Sequence, residues 1–249
     1  MNGPVIVSNF GADGLRLTLN RPDQANAVDD TLCNALLLAL QEAAETGVRL
    51  VVLDANGKNF CGGFDFTGVD DLSEGDLLLR FVRIEQVLQL LWRAPFVTIA
   101  CAHGAIFGAG ADLVAASTYR LGASGCRFRF PGYRFGIALG TRRLGCLLGE
   151  QKAREILLAN STLAGAEARE VGLLTHLDER EAWDGIITAV RTSIEDLSPS
   201  AMSDLLANVR QDQVANDRDL ASLARSAAQP GIHGRIAAYR TAAAGSRKG

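Results

Sequence analysis

Apolar positions recur at two spacings along this chain. Between residues 30 and 46, Leu32, Leu36, Leu37 and Leu40 fall at helical spacing, and Gly47 stands where a C-cap belongs. A second, longer amphipathic pattern runs over 72–92 and ends before Pro95. Short apolar runs at 5–7, 15–19, 50–54 and 96–102 predict strands, the first two joined by a turn at 11–14. Small residues over 111–117 predict a helix, as do the patterns at 151–159 and 165–171. Further strands are predicted at 119–123, 127–130 and 173–177. From Glu181 onward only helical patterns remain, punctuated by Ser198-Pro199 and Gln229-Pro230-Gly231. Strands alternating with helices predict an α/β core with a largely parallel sheet.

Two of the strands run into glycines. After 96–102 come Gly104, Gly108 and Gly110; after 50–54 comes the segment Phe60-Cys61-Gly62-Gly63-Phe64-Asp65. Glycines at a strand-to-helix turn leave backbone N–H groups free to face a ligand, and a helix start behind them adds positive potential. Two such turns facing each other aim two donors at one oxygen, which makes an oxyanion hole. Asp112 lies in the first helical turn beside the second glycine group.

Composition narrows the partners. At 249 residues with 48% hydrophobic content, one large domain, or a domain with a small appendage, is expected. The net charge of −3 gives no basic face for nucleic acid. No apolar run is long enough for a membrane span, and the first residues do not read as a secretion signal. The five cysteines are odd in number and mostly in apolar surroundings, and no Cys/His cluster suits a metal. They are read as reduced core thiols of a cytoplasmic protein without a metal site.

The motifs resemble those of the crotonase (enoyl-CoA hydratase/isomerase) superfamily. The matching residues are Asn20-Arg21-Pro22 with Asn26-Ala27, the segment 60–65, the segment His103-Gly104-Ala105-Ile106-Phe107-Gly108-Ala109-Gly110-Ala111-Asp112, then Phe128, Pro131 and Gly136, and 141–144. The likeness extends through the helical stretch 151–174. It implies a crotonase-like spiral of repeated β-β-α units over 1–190. A C-terminal helical region over 191–249 would support a homotrimer or a dimer of trimers. It also implies an acyl-CoA substrate, with no cofactor beyond the CoA that the substrate carries.

Carried over position by position, the resemblance assigns the oxyanion-hole donors to the backbone N–H groups of Phe64 and Ala109. Asp112 stands where hydratases of the family carry a catalytic glutamate, which makes it the expected acid/base; its other reading is a helix cap. Gly63, Gly108, Gly110, Pro131, Gly132 and Tyr133 are expected around the substrate. The family's second glutamate would follow the proline, and here Gly132 follows Pro131. A hydratase uses a carboxylate pair to place and split water. The chain is therefore expected to hydrate simple 2-enoyl-CoA substrates poorly, and Gly132→Glu is the natural rescue if the loop leaves room. The Phe64 ring either narrows the acyl pocket or packs in the core.

Of the other polar residues, Tyr133 is read as a packing residue and Arg129 and Arg134 as solvated. His103, Asp65 and Cys61 are read as structural. The leading function implied by the resemblance is an acyl-CoA enzyme of the enoyl-CoA hydratase/isomerase type that stabilises a thioester enolate. Beside it remain a catalytically weak acyl-CoA-binding or interaction protein, and other reactions of the same scaffold such as decarboxylation or C–C hydrolysis. A dinucleotide site is disfavoured, because the glycines at 104, 108 and 110 do not have the G-x-G-x-x-G spacing.

Overall fold

The computed structural model describes residues 3–210 and 215–245. The chain opens with β1 (Val5–Asn9), β2 (Gly14–Leu19) and α1 (Asp30–Glu45), followed by β3 (Leu50–Ala55) and α2 (Glu74–Trp92). Two β-β-α units come next: β4 (Val97–Ala102), β5 (Ala105–Phe107) and α3 (Ala109–Ala115), then β6 (Tyr119–Ala123), β7 (Arg127–Arg129) and α4 (Thr141–Leu148). The rest comprises α5 (Glu150–Ala159), β8 (Leu163–Ala164), α6 (Gly165–Glu170), β9 (His176–Asp178), α7 (Trp183–Ser193), α8 (Pro199–Asn208), α9 (Ala215–Ala227) and α10 (Ile232–Gly245).

The repeats divide their strands between two sheets. In each of the two β-β-α units the first strand enters a six-stranded sheet of order β1-β2-β3-β4-β6-β9, and the second enters a three-stranded sheet of order β5-β7-β8. Only β1 runs antiparallel in the large sheet, with Val5 opposite Leu19; β2, β3, β4, β6 and β9 pair in parallel. Every residue of β4 is buried, as expected for a central parallel strand covered on both faces.

Local chemistry sets the helix starts. Asp29 caps α1 by accepting the Leu32 N–H at 2.8 Å. Ser73 and Asp76 form a capping box that begins α2 at Glu74, two residues inside the predicted span. The predicted helix at 111–117 begins at Ala109 and ends at Ala115. The predicted strand at 173–177 is shorter and shifted to His176–Asp178, because Leu173 and Leu174 are buried in the turn that follows α6. β5, β8 and α4 are not foreseen from the pattern.

The helices after residue 190 pack onto this core. α9 lies against α2, and α10 reaches the 3-10 turn Gly132–Phe135. Among the described residues no helix is long and apolar enough to cross a membrane.

Candidate active site

The segment 60–65 is clamped from two sides. On one side Val28 N–H donates to Gly63 O at 2.7 Å and Asp65 N–H to Val28 O at 3.0 Å. On the other, Phe60 N–H donates to His103 O at 2.8 Å and Phe107 N–H to Cys61 O at 3.0 Å. Because Gly63 and Asp65 supply both bonds to Val28, the Phe64 N–H points the other way. It finds no acceptor among the described residues.

The early motif builds that clamp. The fully buried Asn26 side chain accepts the Arg21 N–H at 2.7 Å and donates to the carbonyls of Asn56 and Asn59, both at 2.9 Å. Arg21 reaches over to Asp65 Oδ2 at 3.0 Å and Asp29 Oδ2 at 3.1 Å. Asp65 also accepts the Thr67 N–H at 2.9 Å. Burial raises its proton affinity, but the Thr67 and Arg21 hydrogen bonds outweigh that and hold its carboxyl below the usual range.

The second turn docks on the first. Gly108 N–H donates to Arg129 O at 2.9 Å, which leaves Ala109 as the first residue of α3 with its N–H likewise without an acceptor among the described residues. Gly63 has φ +98°, and a Cβ there would lie 2.7 Å from Phe107 O and 3.6 Å from Ala109 N. Only glycine permits the two turns to touch this way.

Both turns open on a cavity of about 530 Å³. Its wall includes Gly63, Phe64, Gly108, Ala109 and Asp112, and also Pro131, Gly132 and Tyr133. Gly110 does not reach it. A Cβ at that position would lie 2.5 Å from Cys61 O, so Gly110 serves close packing of α3 on the first turn rather than the substrate. The Phe64 residue meets both of its readings: its ring stacks on Phe81 with centroids 4.5 Å apart, and the residue lines the cavity.

Asp112 is 5% exposed and is the one carboxylate among the described residues that line the cavity. No described donor bonds it. Burial pushes its carboxyl well above the usual carboxylate range; the Arg143 charge pulls it back and Glu85 adds to the rise. Its carboxyl presses on Gly140, the residue before α4, where φ is +65° and a Cβ would overlap the Asp112 oxygen. Glycine at 140 is thus a requirement of the acid's position.

Behind Asp112 lies an ion pair that the sequence patterns did not reveal. Arg143 of α4 meets Glu85 of α2 through two bonds of 2.6 and 3.0 Å, with both side chains 1% exposed. Asp219 of α9 binds Arg142 through both carboxylate oxygens at 3.0 and 3.1 Å and stands 3.7 Å from Arg143. One signal was available: Glu85 falls between Ile84 and Leu88 on the buried face of an otherwise apolar stripe.

The remaining polar residues have local partners. Tyr133 is 49% exposed, and its hydroxyl accepts from Thr141 Oγ1 at 3.1 Å. Arg129 donates to Asn160 O at 3.2 Å from the cavity wall, and Arg134 donates to Leu158 O. The His103 Nε2 lies 3.1 Å from Gly57 O. The Cys61 thiol is fully buried, and burial pushes it up to about 12, which leaves it no thiolate at neutral pH. Gly132 begins a 3-10 turn, and a Cβ there would meet Ile137 O at 2.8 Å. The loop has no room for the Gly132→Glu rescue.

Two clamped glycine turns with paired free N–H groups, set in split β-β-α units, define the crotonase class. The family model for enoyl-CoA hydratase/isomerase matches residues 12–227, and the chain belongs to that family. A crystal structure from Bordetella parapertussis that carries the same hydratase/isomerase description is 40% identical. It superimposes with a TM-score of 0.92 over 95% of this chain and 98% of that one. A probable enoyl-CoA hydratase of Mycobacterium leprae is 30% identical over 186 residues, covering 71% of this chain and 73% of that protein. An enoyl-CoA isomerase/hydratase of Mycosarcoma maydis is 29% identical over 174 residues, and the match spans 64% of its length, just under two thirds. A Thermobifida fusca hydratase-type structure in complex with acetoacetyl-CoA shares the fold, at 21% identity and a TM-score of 0.74 over 90% of this chain and 94% of that one.

Proposed function

We propose that the protein binds an acyl-CoA thioester, polarises its carbonyl between the Phe64 and Ala109 N–H groups, and moves a proton on the adjacent carbons with Asp112. The observation that carries this is that both acceptor-free N–H groups share one cavity with Asp112, the one carboxylate among the described residues that line it. Family membership and the acetoacetyl-CoA held by the Thermobifida fusca relative support the ligand class.

Each donor aimed at the developing enolate oxygen stabilises it by roughly 3 kcal/mol. The ionised Asp112 takes a proton from the carbon next to the thioester carbonyl, and the resulting acid returns it two carbons further along. The raised proton affinity of Asp112 makes it the stronger base for the first half of this exchange. With one carboxylate on the cavity wall, double-bond isomerisation fits better than hydration. The reaction needs no cofactor apart from the CoA of the substrate.

The test compares isomerisation of 3-hexenoyl-CoA with hydration of crotonyl-CoA in wild type and Asp112→Asn. Isomerisation exceeds hydration in wild type. In Asp112→Asn, turnover falls by about two to four orders of magnitude while thioester binding barely changes. Hydration at high rate that survives Asp112→Asn would overturn the assignment.

We also propose a trimer or a dimer of trimers. Leu205 of α8 and Val209 just past its end, 49% and 71% exposed, border an apolar depression that also takes in Trp92 and Leu147, which supports burial against another subunit. A stable monomer in light scattering at micromolar concentration would refute it.

A further inference from the structure

The part of the cavity beyond the two donors is built from rings. Eight of the 23 residues around the cavity are Phe or Tyr, while aromatic residues make up 6% of the chain. Five of them form a connected cluster. Phe64 stacks on Phe81, and Phe66 meets the Phe64 ring edge-on with centroids 5.2 Å apart. Phe135 lies 5.9 Å from Phe66 and 5.0 Å from Tyr239, which arrives from α10.

The first ring is attached to an oxyanion donor. The Phe64 N–H holds the thioester oxygen in the proposed function, and the Phe64 ring starts one carbon from the same Cα. An acyl group whose carbonyl sits on that N–H therefore meets the cluster within a few bonds. Phe66 and Tyr239 are half-buried rather than fully packed, so their rings retain surface toward the cavity. A wall of rings suits another ring, which gains quadrupole contacts that a methylene chain does not. A rigid ring also loses less conformational freedom on binding than a flexible chain of equal carbon number.

We infer that the acyl group this site selects is an arylalkanoyl or arylacryloyl thioester, with the ring two to three carbons from the carbonyl, and that Phe66 and Tyr239 set this preference. The inference rests on the acyl-CoA reading of the site.

The test is calorimetric binding to the full-length protein of 3-phenylpropanoyl-CoA, of nonanoyl-CoA with the same number of acyl carbons, and of CoA alone. The aryl thioester binds about tenfold more tightly than the linear one. In Phe66→Leu and in Tyr239→Leu that preference shrinks by about threefold to tenfold, while nonanoyl-CoA affinity changes little. Both thioesters binding, with nonanoyl-CoA equal or tighter, overturns the ring preference and leaves the acyl-CoA reading intact. A preference unchanged in both variants overturns the role of these rings. Neither thioester binding better than CoA alone overturns the acyl-CoA reading itself, and the ring preference falls with it.

Discussion

The two backbone donors and the carboxylate that shares their cavity are held by different physics. Phe64 and Ala109 present backbone N–H groups, and their positions are fixed by main-chain hydrogen bonds to Val28, His103, Cys61 and Arg129. Side-chain identity hardly enters the placement of a backbone N–H, so neither position has to carry a small residue. Asp112 presents a side chain with no hydrogen-bond partner among the described residues. Its place is set by packing on Gly140 and its proton affinity by burial and the Arg143–Glu85 pair. The backbone side is redundant and stiff; the side-chain side depends on a few charges. Substitutions that separate these two kinds of support measure the difference.

The largest expected effect comes from the buried pair. Glu85→Gln leaves the Arg143 guanidinium, 1% exposed, without its main counter-charge. The expected loss is about 3–5 kcal/mol of unfolding free energy, read from urea denaturation. Removing Glu85 also removes a charge that raises the Asp112 carboxyl, so the activity profile of any surviving protein moves to lower pH. A stability loss below about 1 kcal/mol would mean that Asp219, at 3.7 Å, already holds Arg143.

On the backbone side, Gly63→Ala meets both a φ of +98° and a carbonyl at 2.7 Å. The two turns must part, and the Phe64 donor leaves its partner. Turnover on an enoyl-CoA is expected to fall about a hundredfold to a thousandfold, the usual cost of one lost oxyanion donor. Gly110→Ala perturbs the same contact from the other side through Cys61, although Gly110 itself lies off the cavity. Full activity in Gly63→Ala would refute the two-turn geometry.

A smaller effect separates the missing carboxylate from the present one. Gly132→Glu is expected to give no gain in crotonyl-CoA hydration. Its Cβ collides with Ile137 O, and Gly132 O already accepts the Ile137 N–H at 2.9 Å. A measurable gain would show that the turn yields, and hydration would return as a reaction open to this chain.

These contrasts also mark what the sequence could disclose. Strands β2, β3 and β4 carry apolar runs or alternation, helices α1 and α2 carry clean helical spacing, and their positions are legible from one chain. β5 is three residues between glycines and β8 is two, too short for any period to register. α4 contains Gly145 and two arginines, which hide its pattern. The contact between the two glycine turns was legible because glycines mark backbone that approaches closely. The Arg143–Glu85 pair was not, because a charge in a sequence reads as surface unless the surrounding stripe is weighed. The shortfall at Gly110 has the same root: a glycine says that something is near, not whether it is a ligand or Cys61.

The smallest effect isolates the cost of Asp112 to the fold. Its folded-state proton affinity is raised mainly by burial. The protonated carboxyl is therefore tolerated in the folded protein, whereas the ionised form is penalised relative to the unfolded chain. Below the ordinary aspartate value of 3.8 the group is neutral in both states and the penalty vanishes. It grows as pH rises above that value and is complete once pH passes the raised folded value. Asp112→Asn removes the ionisable group while keeping its size. The variant should melt a few degrees above wild type at pH 8, at about 2–4 °C for each kcal/mol in a chain of this size. The gap should close as pH falls toward 4. An advantage that stays constant from pH 4 to pH 8 would trace to packing rather than to charge, and a variant less stable than wild type at pH 8 would mean that the ionised carboxylate finds a partner. Greater stability at pH 8 together with lost turnover would show that the fold carries this carboxylate at a cost for the sake of its chemistry.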